Sequence, residues 1–178
     1  LGLVRENRHY IVSSKPVKEL QNYIVKTIKK ESLKIDRETI IIDKALVDLA
    51  KVDISFSLKN LKKDVYTFSF SNDSKNTIQF GINKEENYFF IDRSKSGNLA
   101  FSDAFANKIT KAPFVGDFDK MDVRVIVDKT SIEIFYNNGK TVMTELFFPD
   151  KPMQYFTVSN ANAEYTIENL IINQLNFK

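Results

Sequence analysis

Asp128 and Glu133, on neighbouring alternating runs, come nearest of all the residues in this 178-residue chain to a hydrolytic pair of carboxylates. Cleaving a sugar linkage takes one carboxylic acid and one carboxylate, about 5 to 5.5 Å apart for retention or about 6.5 to 9.5 Å for inversion. Asp128, however, opens the polar turn Asp128-Lys129-Thr130-Ser131, where an Asp side chain bonds its own loop backbone. Glu133 alternates with Ile132 and Ile134 and so points outward from a strand. We therefore read a turn former and a solvent-facing strand residue, and assign no catalytic residue. Asp117, Asp119 and Asp122 could offer oxygens to Ca²⁺, but the stretch has neither the Gly nor the Glu of an EF-hand loop. It reads as a solvated acidic turn, with no metal site.

Other chemistries are excluded by what the chain lacks. It has no Cys, which removes thiol nucleophiles, Cys-ligated zinc and disulfides. Its single His, His9 in Arg8-His9-Tyr10, cannot form a two-histidine metal signature and reads as solvated or packed. There is no GxxxxGK[ST] or GxGxxG phosphate cradle, and five Gly in all leave little room for one. No cofactor is expected. Sugar surfaces favour flat aromatic faces, and Trp, the largest of them, is absent. Tyr10, Tyr88, Tyr136, Tyr155 and Tyr165 could substitute, although aromatics at alternating positions more often serve a core.

The elements that must position these groups are strands. Tyr66-Thr67-Phe68-Ser69-Phe70-Ser71 puts rings on one face and hydroxyls on the other, as a half-buried strand requires. The same alternation runs through Ile54 to Leu58, Ile78 to Ile82, Val123 to Val127 and Ile132 to Tyr136. Less regular apolar runs at Thr39 to Ile42, Tyr88 to Ile91, Val142 to Phe148, Phe156 to Ser159 and Tyr165 to Leu175 bring the count to roughly ten. This spacing predicts an all-β, two-sheet antiparallel β-sandwich. Asn138-Gly139 predicts a type I′ hairpin turn, because both central residues need positive φ. With the Asp128 to Ser131 turn it makes Val123 to Phe148 a three-stranded meander. Asn83 to Asn87 reads as another hairpin loop, and Ser94 to Asp119, with Ser96-Gly97, Pro113 and Gly116, as a long loop.

One segment departs from this pattern. Val17, Leu20, Ile24 and Ile28 fall at helical spacing within Pro16 to Lys30, which predicts a short helix whose far end, β-prone at Tyr23-Ile24-Val25, could enter a strand instead. We divide the chain into a linker segment and helix, 1–30, and a sandwich domain, 31–178. Length suits one domain with a core that needs no disulfide or metal, and 15 Phe and 7 Tyr supply that core. The formal charge is +3, from 26 Lys and Arg against 23 Asp and Glu, and the basic residues are scattered, so no nucleic-acid partner is expected. No apolar run approaches the roughly 20 residues of a membrane helix, nor is there a basic-then-apolar leader. Leu1 is not an initiator and the first Met is Met121, which leads us to expect a processed product or an excised piece.

Two blocks are more specific than composition. Ile91-Asp92-Arg93-Ser94-Lys95-Ser96-Gly97, followed by Phe101 and Phe105, resembles the D-R-S-x-S-G … F … F block of the C-terminal β-sandwich of glycoside hydrolase family 32, the levanase, inulinase and invertase family. Val127 to Gly139, continuing to Met143-Thr144 and Phe148-Pro149, resembles a second block of that domain, v-D-x-S-s-v-E-v-F-x-N-d-G … m-T … P. Pro16-Val17-Lys18-Glu19-Leu20 is similar, more weakly, to its linker helix. The resemblance implies a concanavalin-like sandwich preceded in the parent by a catalytic five-bladed β-propeller of a retaining hydrolase acting on fructans or sucrose, exported to the extracellular or periplasmic space. The family's catalytic motifs, W-x-N-D-P-x-G, R-D-P and E-C, do not occur here. What the resemblance carries over is structural: Asp92, Arg93, Gly97, Asp128, Glu133 and Gly139 are candidates for holding the fold or an interdomain contact. Asp92 and Arg93 should point to opposite faces, one anchoring the loop through Gly97 and the other meeting a partner strand or the propeller, with loop anchoring the favoured role. Asp128 and Gly139 should hold the two hairpin turns. The expected role is that of a non-catalytic module stabilising the propeller; the alternative is a carbohydrate-binding module that retains fructan chains.

Overall fold

The computed structural model describes residues 1–6, 8–42, 46–114 and 120–177. In chain order the strands are β1 (Gly2–Glu6), β2 (His9–Ser13), β3 (Ile24–Ile35), β4 (Thr39–Ile42), β5 (Val52–Lys59), β6 (Val65–Ser71), β7 (Thr77–Asn83), β8 (Tyr88–Lys95), β9 (Thr110–Pro113), β10 (Lys120–Asp128), β11 (Ser131–Tyr136), β12 (Thr141–Leu146), β13 (Tyr155–Asn160) and β14 (Tyr165–Leu175). Short 3-10 turns cover Lys18–Tyr23 and Asn137–Gly139. One six-stranded sheet runs β12-β11-β10-β5-β14-β3 and the other β4-β13-β6-β7-β8-β9, while β1 and β2 form a separate hairpin. The pairings are antiparallel. This is the expected sandwich.

Alternation explains why the sheets stack. Tyr66, Phe68 and Phe70 of β6 and Ile78, Phe80 and Ile82 of β7 are all fully buried, with Val123, Val125, Ile132 and Ile134 among their counterparts from the other sheet. Rings join the layers: Phe56 meets Phe68 at 5.2 Å, Tyr66 meets Tyr165 edge-on at 4.9 Å, and Phe89 stacks on Tyr136 at 3.8 Å. Each buried Phe contributes about 1.5 to 3 kcal/mol, so this aromatic layer dominates the driving force.

Three expectations change in the structure. The helix over Pro16 to Lys30 shrinks to the 3-10 turn Lys18–Tyr23, and Ile24–Ile35 is a strand paired along β14. A four-residue spacing such as Ile24 to Ile28 suits two strand repeats as well as one helical turn, so the pattern alone could not decide. The linker stretch 1–30 thus gives Ile24 to Lys30 to the sheet. The Asn138-Gly139 turn is not a two-residue type I′ turn: Tyr136 pairs with Thr141, and the intervening loop carries positive φ at Asn137, Asn138 and Gly139 (48°, 60° and 81°). Asn137 accepts a hydrogen bond from the Asp122 N–H at 3.3 Å, and Gly139 lies against Ser14, contacts that a two-residue turn would not reach. Finally, the long loop from Ser94 contains an edge strand, β9, paired with β8.

Candidate functional site

A groove of about 310 Å³ lies on the outer face of the first sheet. Its floor comes from outward positions of four adjacent strands: Ser55 and Ser57 on β5, Asp122 and Arg124 on β10, Phe135 on β11, and Asn169 and Ile171 on β14. Lys15 and Pro16 lie at its wall beside Asn138 and Gly139. The wall is held in place because Ser14 N–H donates to the Gly139 carbonyl at 3.0 Å. A Cβ on Gly139 would sit 1.7 Å from the Ser14 carbonyl oxygen, so only glycine permits this approach.

The floor's polar groups are fixed before any ligand arrives. Arg124 donates through Nε and Nη2 to the two carboxylate oxygens of Asp53, at 2.9 and 2.8 Å, a bidentate pairing that fixes the guanidinium plane. Ser57 Oγ donates to Asp122 Oδ1 at 2.7 Å, and Lys120 stands 3.9 Å from the same carboxylate. On β14 the register against β5 shifts between Glu168 and Ile171, and Asn169 adopts φ 52° at this bulge. Bulges re-aim side chains in this way, here bringing Asn169 to the groove.

A second polar cluster joins the sheets. Arg93 on β8 meets the Glu145 carboxylate of β12 at 3.1 Å, donates to the Leu146 carbonyl at 2.8 Å, and lies 4.1 Å from the centre of the Phe105 ring. Thr110 Oγ1 donates to the same Glu145. Asp92 accepts the Ser94 N–H at 2.9 Å and so turns the chain into the loop. At Gly97, with φ 128°, a Cβ would fall 2.0 Å from the Phe148 carbonyl oxygen. Phe101, Phe105 and Phe148 cluster around this crossing, with Phe101 more than half exposed.

The remaining predicted positions fall as follows. Asp128 accepts the Lys129 N–H at 2.8 Å at the β10–β11 turn. Glu133, opposite Ile126 and Thr144, is exposed on β11. The two carboxylates share a face diagonally, yet both are open to water, without the desolvated setting of a general acid. Asp117 and Asp119, in the calcium reading, lie outside the described residues. Among the described residues no three His, Asp or Glu gather as a metal site. His9 is exposed on the β1–β2 hairpin. Tyr136 and Tyr165 are core, Tyr155 donates to Asp73 at 2.7 Å, and Tyr88 lies under Lys111. Burial pushes the phenols of Tyr136 and Tyr165 far above the usual tyrosine range. The described residues contain no helix long and apolar enough to cross a membrane.

Sequence reading missed Ser55, Asn169 and the Asp53–Arg124 pair. Outward residues on alternating strands look alike, and neither the bulge nor the cross-strand register is written in local spacing.

The fold is an antiparallel two-sheet β-sandwich in which the Asp92 to Gly97 and Asp128 to Gly139 blocks hold turns and a sheet edge. The chain belongs to the glycosyl hydrolases family 32 C-terminal domain family, whose model matches residues 17–174. It is 27% identical over 128 residues to a levanase of Bacillus subtilis, covering 72% of this chain and 19% of that protein. It is 25% identical over 172 residues to a levanbiose-producing levanase of the same species, covering 97% of this chain and 33% of that protein. Among solved structures, exo-inulinase from Aspergillus awamori superposes with a TM-score of 0.76 at 15% identity, over 98% of this chain and 34% of that one, which shows the shared fold. The chain therefore spans between a fifth and a third of the length of these two levanases.

Proposed function

We propose that this domain is the non-catalytic brace of a retaining hydrolase acting on fructans or sucrose, packed against the catalytic β-propeller of the same polypeptide. The observation that carries this reading is the β1–β2 hairpin. Among the described residues its two strands pair only with each other, and Leu3, Tyr10 and Val12, with 71%, 69% and 61% exposure, share one face with Arg5. A lone two-stranded hairpin is marginal in water, and three exposed apolar side chains side by side on it call for a neighbour. The absence of the family's catalytic motifs and the open settings of Asp128 and Glu133 support a non-catalytic role. That a linker precedes the sandwich is part of the same proposal, its boundary moved from residue 30 to the start of β3 at Ile24 because Ile24 to Lys30 pair along β14, with Asp92, Arg93, Gly97 and Gly139 as fold-holding residues.

The test begins with the reading frame directly upstream of Leu1. In-frame propeller blades support the proposal, and translation starting at Leu1 overturns it. In the full-length protein, deleting residues 17–178 should lower the thermal inactivation temperature of hydrolysis; an unchanged temperature would remove the bracing role.

A further inference from the structure

Asn138-Gly139 is the only Asn-Gly pair in the chain, and it lies at a joint where its own chemistry has a structural consequence. An Asn followed by Gly can cyclise. The glycine nitrogen, with no side chain crowding it, loses its proton and attacks the Asn Cγ; a C–N bond forms and the side-chain nitrogen leaves as ammonia. Water then opens the five-membered succinimide at one of its two carbonyls, giving aspartate or isoaspartate. One water is consumed, one ammonia is released, and nothing is oxidised. Asn138 is exposed, so both can pass freely, whereas Gly139 is buried.

The folded backbone holds this reaction back. Ring closure needs the Gly139 nitrogen and the Asn138 Cβ on the same side of the Cα–C bond. At φ 60° and ψ 33° the tetrahedral Cα of Asn138 turns that nitrogen almost directly away from Cβ. Rotating the peptide into place would swing Gly139 off Ser14, whose N–H donates to the Gly139 carbonyl at 3.0 Å. It would also strain the bond from the Lys140 N–H to the Tyr136 carbonyl at 3.1 Å. The reaction therefore proceeds from a locally opened loop, at a rate that follows the open population.

We propose that Asn138-Gly139 is a self-modification site restrained by the Ser14–Gly139 contact, and that its isoaspartate product releases Ser14 and the segment leading back to the β1–β2 hairpin. Isoaspartate inserts one extra carbon into the backbone just before Gly139. That backbone has no slack, since a single Cβ added to Gly139 would lie 1.7 Å from the Ser14 carbonyl oxygen. Charge contributes less. The Asn138 amide donates to Asp122 Oδ2 at 3.4 Å, and a carboxylate in its place would oppose Asp122, but Lys15, Lys120 and Lys140 border the same space and offset the repulsion. The inference is independent of the bracing role, because the restraint and the reacting pair both lie within this chain.

Peptide mapping by mass spectrometry, after incubation of this chain at mildly alkaline pH with and without denaturing urea, tests it. Conversion at Asn138 should be at least about tenfold slower in the folded chain than in urea. Ser14→Pro removes the restraining N–H and should speed conversion in the folded state by about fivefold or more, with no change in urea. In the unsubstituted chain, urea below the unfolding transition should raise conversion in step with hydrogen exchange at the Ser14 amide, a readout that needs no variant. The purified isoaspartate form should lose protection at Ser14 while Phe80 and Val125 in the core stay protected. Asn138→Asp, which adds the charge without the extra carbon, should keep Ser14 protected. Equal conversion in the folded and unfolded chains, conversion in the folded state that ignores both Ser14→Pro and Ser14 exchange, or a protected Ser14 in the isoaspartate form would overturn the inference.

Discussion

Arg93 and Glu145 stand 3.1 Å apart across the two sheets, one on β8 and the other on the edge strand β12, with side chains only 18% and 12% exposed. The pair ties the layers at an edge that no backbone ladder spans; Arg93 Nη1 also donates to the Leu146 carbonyl and Glu145 also accepts from Thr110, while the buried Arg93 Nε has no hydrogen-bond partner. Removing one partner strands the other in a poorly solvated place. Arg93→Ala should therefore cost about 2 to 4 kcal/mol in urea unfolding, and Arg93→Lys, which keeps the charge without the fork, clearly less. A loss below about 0.5 kcal/mol for Arg93→Ala would mean that the sheets are held without it.

Gly139 and Gly97 are constrained twice over, by positive φ and by backbone atoms where a Cβ would go. Gly139→Ala should displace the Ser14 segment, and Gly97→Ala the Phe148-Pro149 segment. Each should destabilise by about 1 to 3 kcal/mol, read as a lowered urea midpoint at constant slope. An unchanged midpoint would show that the loops relax freely.

High pH should weaken the fold through two core phenols. The folded state holds the Tyr136 and Tyr165 hydroxyls well above their ordinary value of 10.0, chiefly because burial disfavours the phenolate. Above pH 10 the unfolded chain therefore binds fewer protons than the native one, so stability that is complete below pH 10 declines as pH rises. Ultraviolet titration should show phenols that ionise only on unfolding. Tyr136→Phe, which gives up a 3.4 Å contact to the Gly81 carbonyl, should cost less than about 1 kcal/mol and remove one late-titrating group.

The hairpin should behave as a surface awaiting a neighbour. Tyr10→Ser and Val12→Ser, at exposed positions, should change unfolding of the sandwich by no more than about 0.5 kcal/mol. In the full-length protein the same changes should lower the thermal inactivation temperature. Equal effects in both settings would place these residues in the sandwich core instead.

Much of this architecture is legible in the chain, for a definable reason. Strands β6 and β10 bury one face and leave the other partly open, so alternation exposes them directly; β5, β7 and β11 keep much of the alternation in residue type, although outward Asp53, Ser57, Asn83 and Phe135 are buried as well. Strand β3 does not: it is a Lys-rich edge with only Ile35 fully buried, and its half-buried Ile24 and Ile28 fit two periods. Strands β1 and β2 contribute little to the core, and β9 is four residues ending in Pro113. The Asp92-Arg93 block is visible as a motif, but its reach to Glu145, 52 positions away in the chain, depends on sheet stacking that no local pattern encodes. The groove is harder still, because Ser55, Arg124 and Asn169 meet only through register.

The most direct measurement is fructose release by the pure chain incubated with levan, inulin and sucrose over a day at high protein concentration. The expected result is no product above a protein-free control. Turnover that grows with protein concentration, and that vanishes in Asp128→Asn or Glu133→Gln, would contradict the account and give this sandwich a catalytic pair of its own.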